Sequence, residues 1–169
     1  MTLLVISDSH GRVGRIEQAL SLNPECEAIL FLGDGLRDLE RAELLGKPVV
    51  AVRGNCDTLS LREGDDERIV RFGEYNIMLI HGHTLGVKHS LVNAISHAAR
   101  RDVDILLYGH THLRHDEYIP AGENIYGIEL KKPLRIFNPG SLGEPRDSAP
   151  SFGLIGIRGK DVLTSHGVL

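Results

Sequence analysis

No apolar stretch in this chain of 169 residues approaches the length of about 20 that a membrane-spanning helix needs. The amino terminus has no basic region ahead of its apolar residues, and Leu3 to Ile6 is too short for a signal peptide. Only two cysteines occur, Cys26 and Cys56, with no CxxC pair, so neither a disulfide framework nor a cysteine-rich zinc site is indicated. Free thiols in a reducing compartment are the simpler reading. Net charge is -4, so the chain lacks both a basic footprint for nucleic acid and a long acidic tail. Linkers, repeats and low-complexity segments are also missing. Together these absences predict a soluble, cytoplasmic protein forming one domain over residues 1–169, with no membrane partner and no specific nucleic-acid partner. A homo-oligomer stays open.

What remains is an ordinary globular composition, 41% hydrophobic and 25% charged, long enough for a sizeable core. The histidines stand out because they cluster beside glycine and aspartate. Leu3 to Ile6 reads as a strand buried on both faces, because its apolar run is continuous rather than alternating. A helix follows with Val13, Ile16, Ala19 and Leu20 on one face, stopped by Asn23-Pro24. Ala28 to Leu32 is a second strand and Leu36 to Leu45 a second helix, ended by Gly46-Lys47-Pro48. Val49 to Val52 is a third strand. This alternation predicts parallel pairing with right-handed crossovers.

Leu59 to Glu67 reads as loop. Glu67 to Phe72 and Asn76 to Ile80 form a hairpin about Gly73-Glu74, and a helix over Lys88 to Arg101 buries Leu91, Val92, Ile95, Ala98 and Ala99. Ile105 to Tyr108 is another buried strand. The last third reads as strands over Glu117 to Ile119, Asn124 to Leu130, Leu134 to Phe137, Phe152 to Ile157 and Val162 to Ser165. The fold class is α/β, with two packed sheets and helices outside.

Five of these strands end in polar turns able to bind metal. The turns carry Asp8 with His10, Asp34, Asn55, His81, and His110 with His112. Ligands bind beyond the carboxyl ends of strands in open α/β sheets, so these distant residues are expected to meet at one edge. A mixed oxygen and imidazole set suits Mn, Fe, Co, Ni, Zn or Mg. There are too many donors for one ion that must also leave room for substrate. Two ions sharing a bridging carboxylate solve this, and such pairs, about 3.5–4 Å apart, serve phosphoryl transfer. Each residue alone is explicable as a turn or capping residue. It is their joint recurrence after apolar runs that favours metal.

Asp8-Ser9-His10, Gly33-Asp34, Gly54-Asn55-Cys56-Asp57, His81-Gly82-His83 and Gly109-His110-Thr111-His112 resemble, in order and spacing, the motifs of the calcineurin-like metallophosphoesterases. Asn138-Pro139-Gly140-Ser141 fits as well. The short length and the Gly-Asn-Cys-Asp variant resemble the small single-domain YfcE-like phosphodiesterase branch. This resemblance implies a four-layer α/β/β/α sandwich of two mixed sheets flanked by helices. It implies a hydrolase that cleaves a small phosphoester, most often a diester, by a dimetal-activated hydroxide. Asp8, His10 and His112 would bind one ion, Asn55, His81 and His110 the other, and Asp34 both. Manganese leads the implied metals, with Ni, Co, Fe, Zn and Mg as alternatives.

The implied catalytic residues are Asp34 and Asn55, to which His83 is added by its proximity. Many members of the superfamily carry histidine where this chain has Cys56, so a strong general acid is not expected there. Cys56 reads as pocket wall, and Asp57 as a support for the loop or for a ligand. His89, His97, His115 and His166 read as surface or packing residues. Arg12, Arg53, Arg114 and Arg146 are divided between phosphate contact and solvated surface. Two other activities share this fold class in outline: a protein-binding scaffold of the retromer small-subunit type, and a phosphomonoesterase.

Overall fold

Strand β1 (Thr2–Ile6) shows why its sequence is apolar throughout. Leu3 and Val5 point into one hydrophobic layer, and Leu4 and Ile6 into another. The same split recurs in β2 (Ala28–Phe31), with Leu30 on one side and Ile29 and Phe31 on the other. A strand covered on both faces has no position where a polar side chain is tolerated.

The computed structural model describes residues 1–58 and 64–169. After β1 come α1 (Val13–Ser21), β2, α2 (Leu36–Arg41), β3 (Val49–Ala51), β4 (Glu67–Phe72), β5 (Tyr75–Ile80), α3 (Val92–Arg100) and β6 (Ile105–Tyr108). The rest is β7 (Arg114–Ile119), β8 (Asn124–Ile125), β9 (Ile128–Glu129), β10 (Leu134–Pro139), β11 (Ser151–Arg158) and β12 (Asp161–Val168). One sheet of five strands runs β12-β11-β1-β2-β3 and a second runs β4-β5-β6-β10-β7. Both are mixed: β1, β2 and β3 are parallel, as are β5, β6 and β10, with antiparallel strands at the flanks.

Leu3, Val5, Leu30, Ile77, Leu79, Ile105, Leu107 and Phe137 fill the space between the sheets. The first sheet buries its outer face against α1 and α2, through Ile16, Leu20, Leu36 and Leu39. The second buries its outer face against α3, through Ala94, Ile95 and Ala98. The result is the four-layer α/β/β/α sandwich. No helix among the described residues is long and apolar enough to cross a membrane.

Several boundaries differ from those expected. Helix α2 stops at Arg41 instead of Leu45, because Ala42 turns extended and the chain must reverse to bring Pro48 against Ile29. Helix α3 starts at Val92 instead of Lys88. A 3-10 turn over His83–Leu85 and the left-handed Gly86 use up the preceding residues. Asn124 to Leu130 is not one strand but the tiny hairpin β8-β9, turned at Tyr126 and Gly127, both with positive φ. The expected loop from Leu59 lies outside the described residues as far as position 63, and Glu67 opens β4.

Register is what brings the strand ends together. Ile6 pairs with Phe31, and Phe31 with Ala51, so the turns after β1, β2 and β3 leave the sheet at one level. Ile80 pairs with Tyr108 and Leu107 with Phe137, which does the same for β5, β6 and β10. Leu107 is fully buried at the sheet–sheet interface. Leu107→Ala should therefore cost about 2–5 kcal/mol, read as a lowered urea midpoint. Leu163, 71% exposed on β12, should tolerate alanine within about 0.5 kcal/mol in the same assay.

Candidate metal centre

Asp8, His10, Asp34, His110 and His112 all adopt positive φ, between 42° and 67°, although none is glycine. Among the described residues only three other non-glycine positions do so: Leu45, Asp102 and Tyr126. Left-handed backbone is disfavoured for L-residues, and its concentration in one place marks a functional constraint. Here it turns side chains from three strand ends, those of β1, β2 and β6, toward a common point. Glycine is required where the turns touch. A Cβ on Gly33 would lie 2.5 Å from the Gly54 nitrogen, and one on Gly109 would lie 2.8 Å from Asp8 Oδ2.

The donors fall into two groups. In the first, His112 Nε2 lies 3.2 Å from Asp8 Oδ1 and 3.2 Å from His10 Nε2. In the second, His81 Nε2 lies 3.1 Å from His110 Nδ1, 3.2 Å from Asn55 Oδ1 and 3.4 Å from Asp34 Oδ2. Asp34 Oδ2 is also 3.9 Å from His10 Nε2, so its carboxylate faces both groups. His110 and His112, two residues apart in sequence, part company: the first joins His81 and the second joins Asp8.

Three features of these atoms fit a cation. Asp8 Oδ1 is buried and has no hydrogen-bond partner, while Oδ2 accepts from Ser7 Oγ and from the His110 N–H. His81 Nδ1 donates to the Leu32 carbonyl at 2.7 Å, and His112 Nδ1 donates to the Glu144 carbonyl at 2.7 Å. In its neutral form each ring therefore aims its Nε2 lone pair into the cluster, as ligating histidines do. Asp8, Asp34, His81 and His112 are all buried, so the negative charge there has little access to water.

The titration behaviour follows from this crowding. Burial works to raise the Asp34 pKa, but hydrogen bonding and charge from His81, with the Cys56 N–H, hold its carboxyl far below the usual carboxylate range. Burial likewise works against a charged His81, yet Asp34 and Asp8 raise it above an ordinary imidazole. The Asp8 carboxylate beside its Nε2 raises His112. Burial and the neighbouring His81 push His110 down to about 4. The carboxylates thus favour positive charge in the cluster, while the imidazoles resist sharing protons among themselves. Cys56 is pushed up to about 11 by burial and Asp34, so its thiol is a poor nucleophile.

Supporting groups hold the strained turns. Asp57 accepts from the backbone N–H groups of Asp34, Gly35, Leu36 and Gly54, each at 2.8 Å. It thereby caps α2, which has no side-chain cap at its own start. Asp38, on α2, accepts from Ser9 Oγ at 2.6 Å and from the Gly11 N–H at 2.8 Å, pinning the turn that carries His10. Asn138 donates to the Gly109 carbonyl and to Thr111 Oγ1, and Ser141 donates to the Asp8 carbonyl. Asp38 and Ser7 were not singled out from sequence. An aspartate inside a predicted helix looks like solvated surface until its partners are known.

The remaining candidates lie apart from the donors. The His83 ring is 5.4 Å from that of His81 and 6.1 Å from that of His110, with its Nδ1 buried and unpartnered. His97 pairs with Glu67, His115 with Glu117, and His166 stacks on Phe137. Arg53 pairs with Asp66 and Arg114 with Asp147, whereas Arg12 and Arg146 are exposed. A cavity of about 950 Å³ opens at the opposite ends of the strands, lined by Met1, Ile105 and Arg135 among others. It contains no donor of either group. The convergence of titratable groups, not cavity size, locates the site.

The calcineurin-like phosphoesterase superfamily domain matches residues 1–160. The probable metallophosphoesterase YsnB of Bacillus subtilis is 32% identical over 146 residues, covering 86% of this chain and 78% of that protein. The phosphodiesterase YfcE of Escherichia coli is 28% identical over 184 residues, covering 92% and 87%. A predicted phosphoesterase of Streptococcus pneumoniae shares the fold with a TM-score of 0.77 at 22% identity, covering 99% of this chain and 88% of that one. So does zinc-complexed Vps29 of Entamoeba histolytica, with a TM-score of 0.72 at 21% identity and 99% of each chain covered.

The four hydrogen bonds to Asp57 give a direct test of the supporting groups. Asp57→Asn presents an amide where donors converge and should cost roughly 2–3 kcal/mol in denaturant unfolding. The match over residues 1–160, the likeness to YsnB and the paired donor groups lead to one statement: the chain belongs to the calcineurin-like phosphoesterase superfamily, hydrolases of phosphoester bonds whose members bind divalent metals.

Proposed function

We propose that the chain is a metal-dependent phosphodiesterase whose one domain, residues 1–169, hydrolyses a small phosphodiester. The observation that carries this reading is the pair of donor groups meeting at the Asp34 carboxylate. Asp8, His10 and His112 are assigned to one ion, Asn55, His81 and His110 to the other, and Asp34 to both. Two divalent ions bound there, manganese first among them, would supply Lewis-acid charge to the phosphoryl oxygens and the acidity that makes water a nucleophile at neutral pH.

The chain's own residues prepare this chemistry. The two buried carboxylates and the left-handed turns fix the donors before substrate arrives, so little reorganisation is left for the reaction. Asn55 contributes a neutral oxygen, which keeps the second donor group less negative than the first. His83 is the candidate for contact with a phosphate oxygen, supported by its nearness to His81 and His110. Cys56, in place of histidine, supplies no acid for a poor leaving group. That favours a diester with a good leaving group over a monoester, in keeping with the relative named phosphodiesterase.

A non-catalytic, protein-binding scaffold is the second reading. It is favoured by the likeness to Vps29 of Cryptosporidium parvum and Chaetomium thermophilum, whose TM-scores are 0.69 and 0.70. Against it stands the complete donor set, which a scaffold is free to lose.

Chelator-stripped protein should be inactive on an artificial phosphodiester and recover with Mn(II). Asp34→Asn should lower turnover by roughly 10³-fold, reflecting several kcal/mol of transition-state stabilisation. Absence of metal-dependent turnover across a panel of divalent ions and phosphoesters, together with a stoichiometric protein partner, would reverse the ranking.

A further inference from the structure

One donor near the centre belongs to neither group. Cys56 Sγ, a His10 ring nitrogen and an Asp34 carboxylate oxygen all lie within 4.8 Å of one another. Donors bonded to one ion at roughly 2.0–2.3 Å sit roughly 3–4.5 Å apart, so a small side-chain rotation completes a set of three. One contact holds the Cys56 backbone there and another its sulfur. The Cys56 N–H donates to Asp34 Oδ1 at 2.7 Å, and Asn55 Nδ2 donates to Cys56 Sγ at 3.2 Å. The second bond requires Asn55 to turn its oxygen toward His81, the orientation already assigned to it. Cys56 is exposed, whereas Asp34 and its partner His81 are buried, so the sulfur stands on the solvent side of the donors.

We propose that Cys56 is a conditional metal ligand: its sulfur joins His10 and Asp34 around a thiophilic ion and stays unbound when the ion is hard. The inference rests on the two-ion reading of the site. Thiolates select Zn²⁺-like ions, while carboxylate, carbonyl and water suit Mn²⁺ and Mg²⁺. On coordination the S–H bond breaks, a metal–sulfur bond forms and the proton leaves to solvent. The bound sulfur would then stand on the solvent side of the donors, where a substrate has to approach. Cys56 thus makes the centre distinguish ions that support turnover from ions that occupy it tightly.

The test is a Co(II) titration of the full-length chain, followed by absorption, beside Cys56→Ser and Cys56→Ala. A sulfur-to-cobalt charge-transfer band should appear in the natural protein and vanish in both variants. Cys26 is fully buried in the apolar layer beside α1 and is not expected to contribute. By calorimetry, Cys56→Ala should weaken Zn(II) binding by about tenfold or more, while Mn(II) binding changes much less. Bound cobalt with visible d–d bands but no charge-transfer band overturns this proposal and leaves the two-ion reading standing. Equal losses for Zn(II) and Mn(II) overturn it as well. If the natural protein binds no cobalt at all, both fall.

Discussion

Two carboxylates, Asp8 and Asp34, are buried at the ends of neighbouring parallel strands, and the rest of the centre answers to that fact. Burying like charges in one place is costly unless positive charge joins them. Protons on the imidazoles meet this need only in part: Asp34 and Asp8 raise His81 and His112, but burial and the neighbouring His81 depress His110. A cation shared among them removes both conflicts at once. The backbone is bent to the same end, with five non-glycine donors held in left-handed conformations. At roughly 1 kcal/mol each, this strain is comparable with a fair part of a domain's net stability.

Such strain persists only where neighbours over-determine it. The two sheets do this through register, by ending their parallel strands at one level. Helix α2 does it more locally. Its start is capped by Asp57 from the turn after β3, and its Asp38 grips the turn after β1. One short helix therefore links three donor-bearing turns. The Asn138–Ser141 turn plays the matching part for the second sheet, tying Gly109 and Thr111 to the backbone of Asp8.

Much of this was legible in sequence, for a physical reason. Strands covered on both faces must be apolar throughout, so their ends are conspicuous, and polar residues placed just beyond them are hard to mistake. The excess of donors over the needs of one ion points to a second, while the parting of His110 from His112 is what the family resemblance implies. Other features left no mark. The 3-10 turn at His83 depends on Gly86 and on packing by Val87. The β8-β9 hairpin depends on a tight turn at Tyr126 and Gly127, which an apolar count cannot register. Asp38 and Ser7 act through hydrogen bonds to turns distant in sequence or to a neighbour's carboxylate, and neither type of residue is distinctive in its own segment.

The account stands or falls on two ions sharing one carboxylate. Electron paramagnetic resonance of the Mn(II)-loaded chain tests this most directly. Two equivalents bound per chain should give a broadened, exchange-coupled spectrum, as expected for ions about 3.5–4 Å apart. A bound population showing only the isolated six-line signal, saturating at one equivalent, would contradict it.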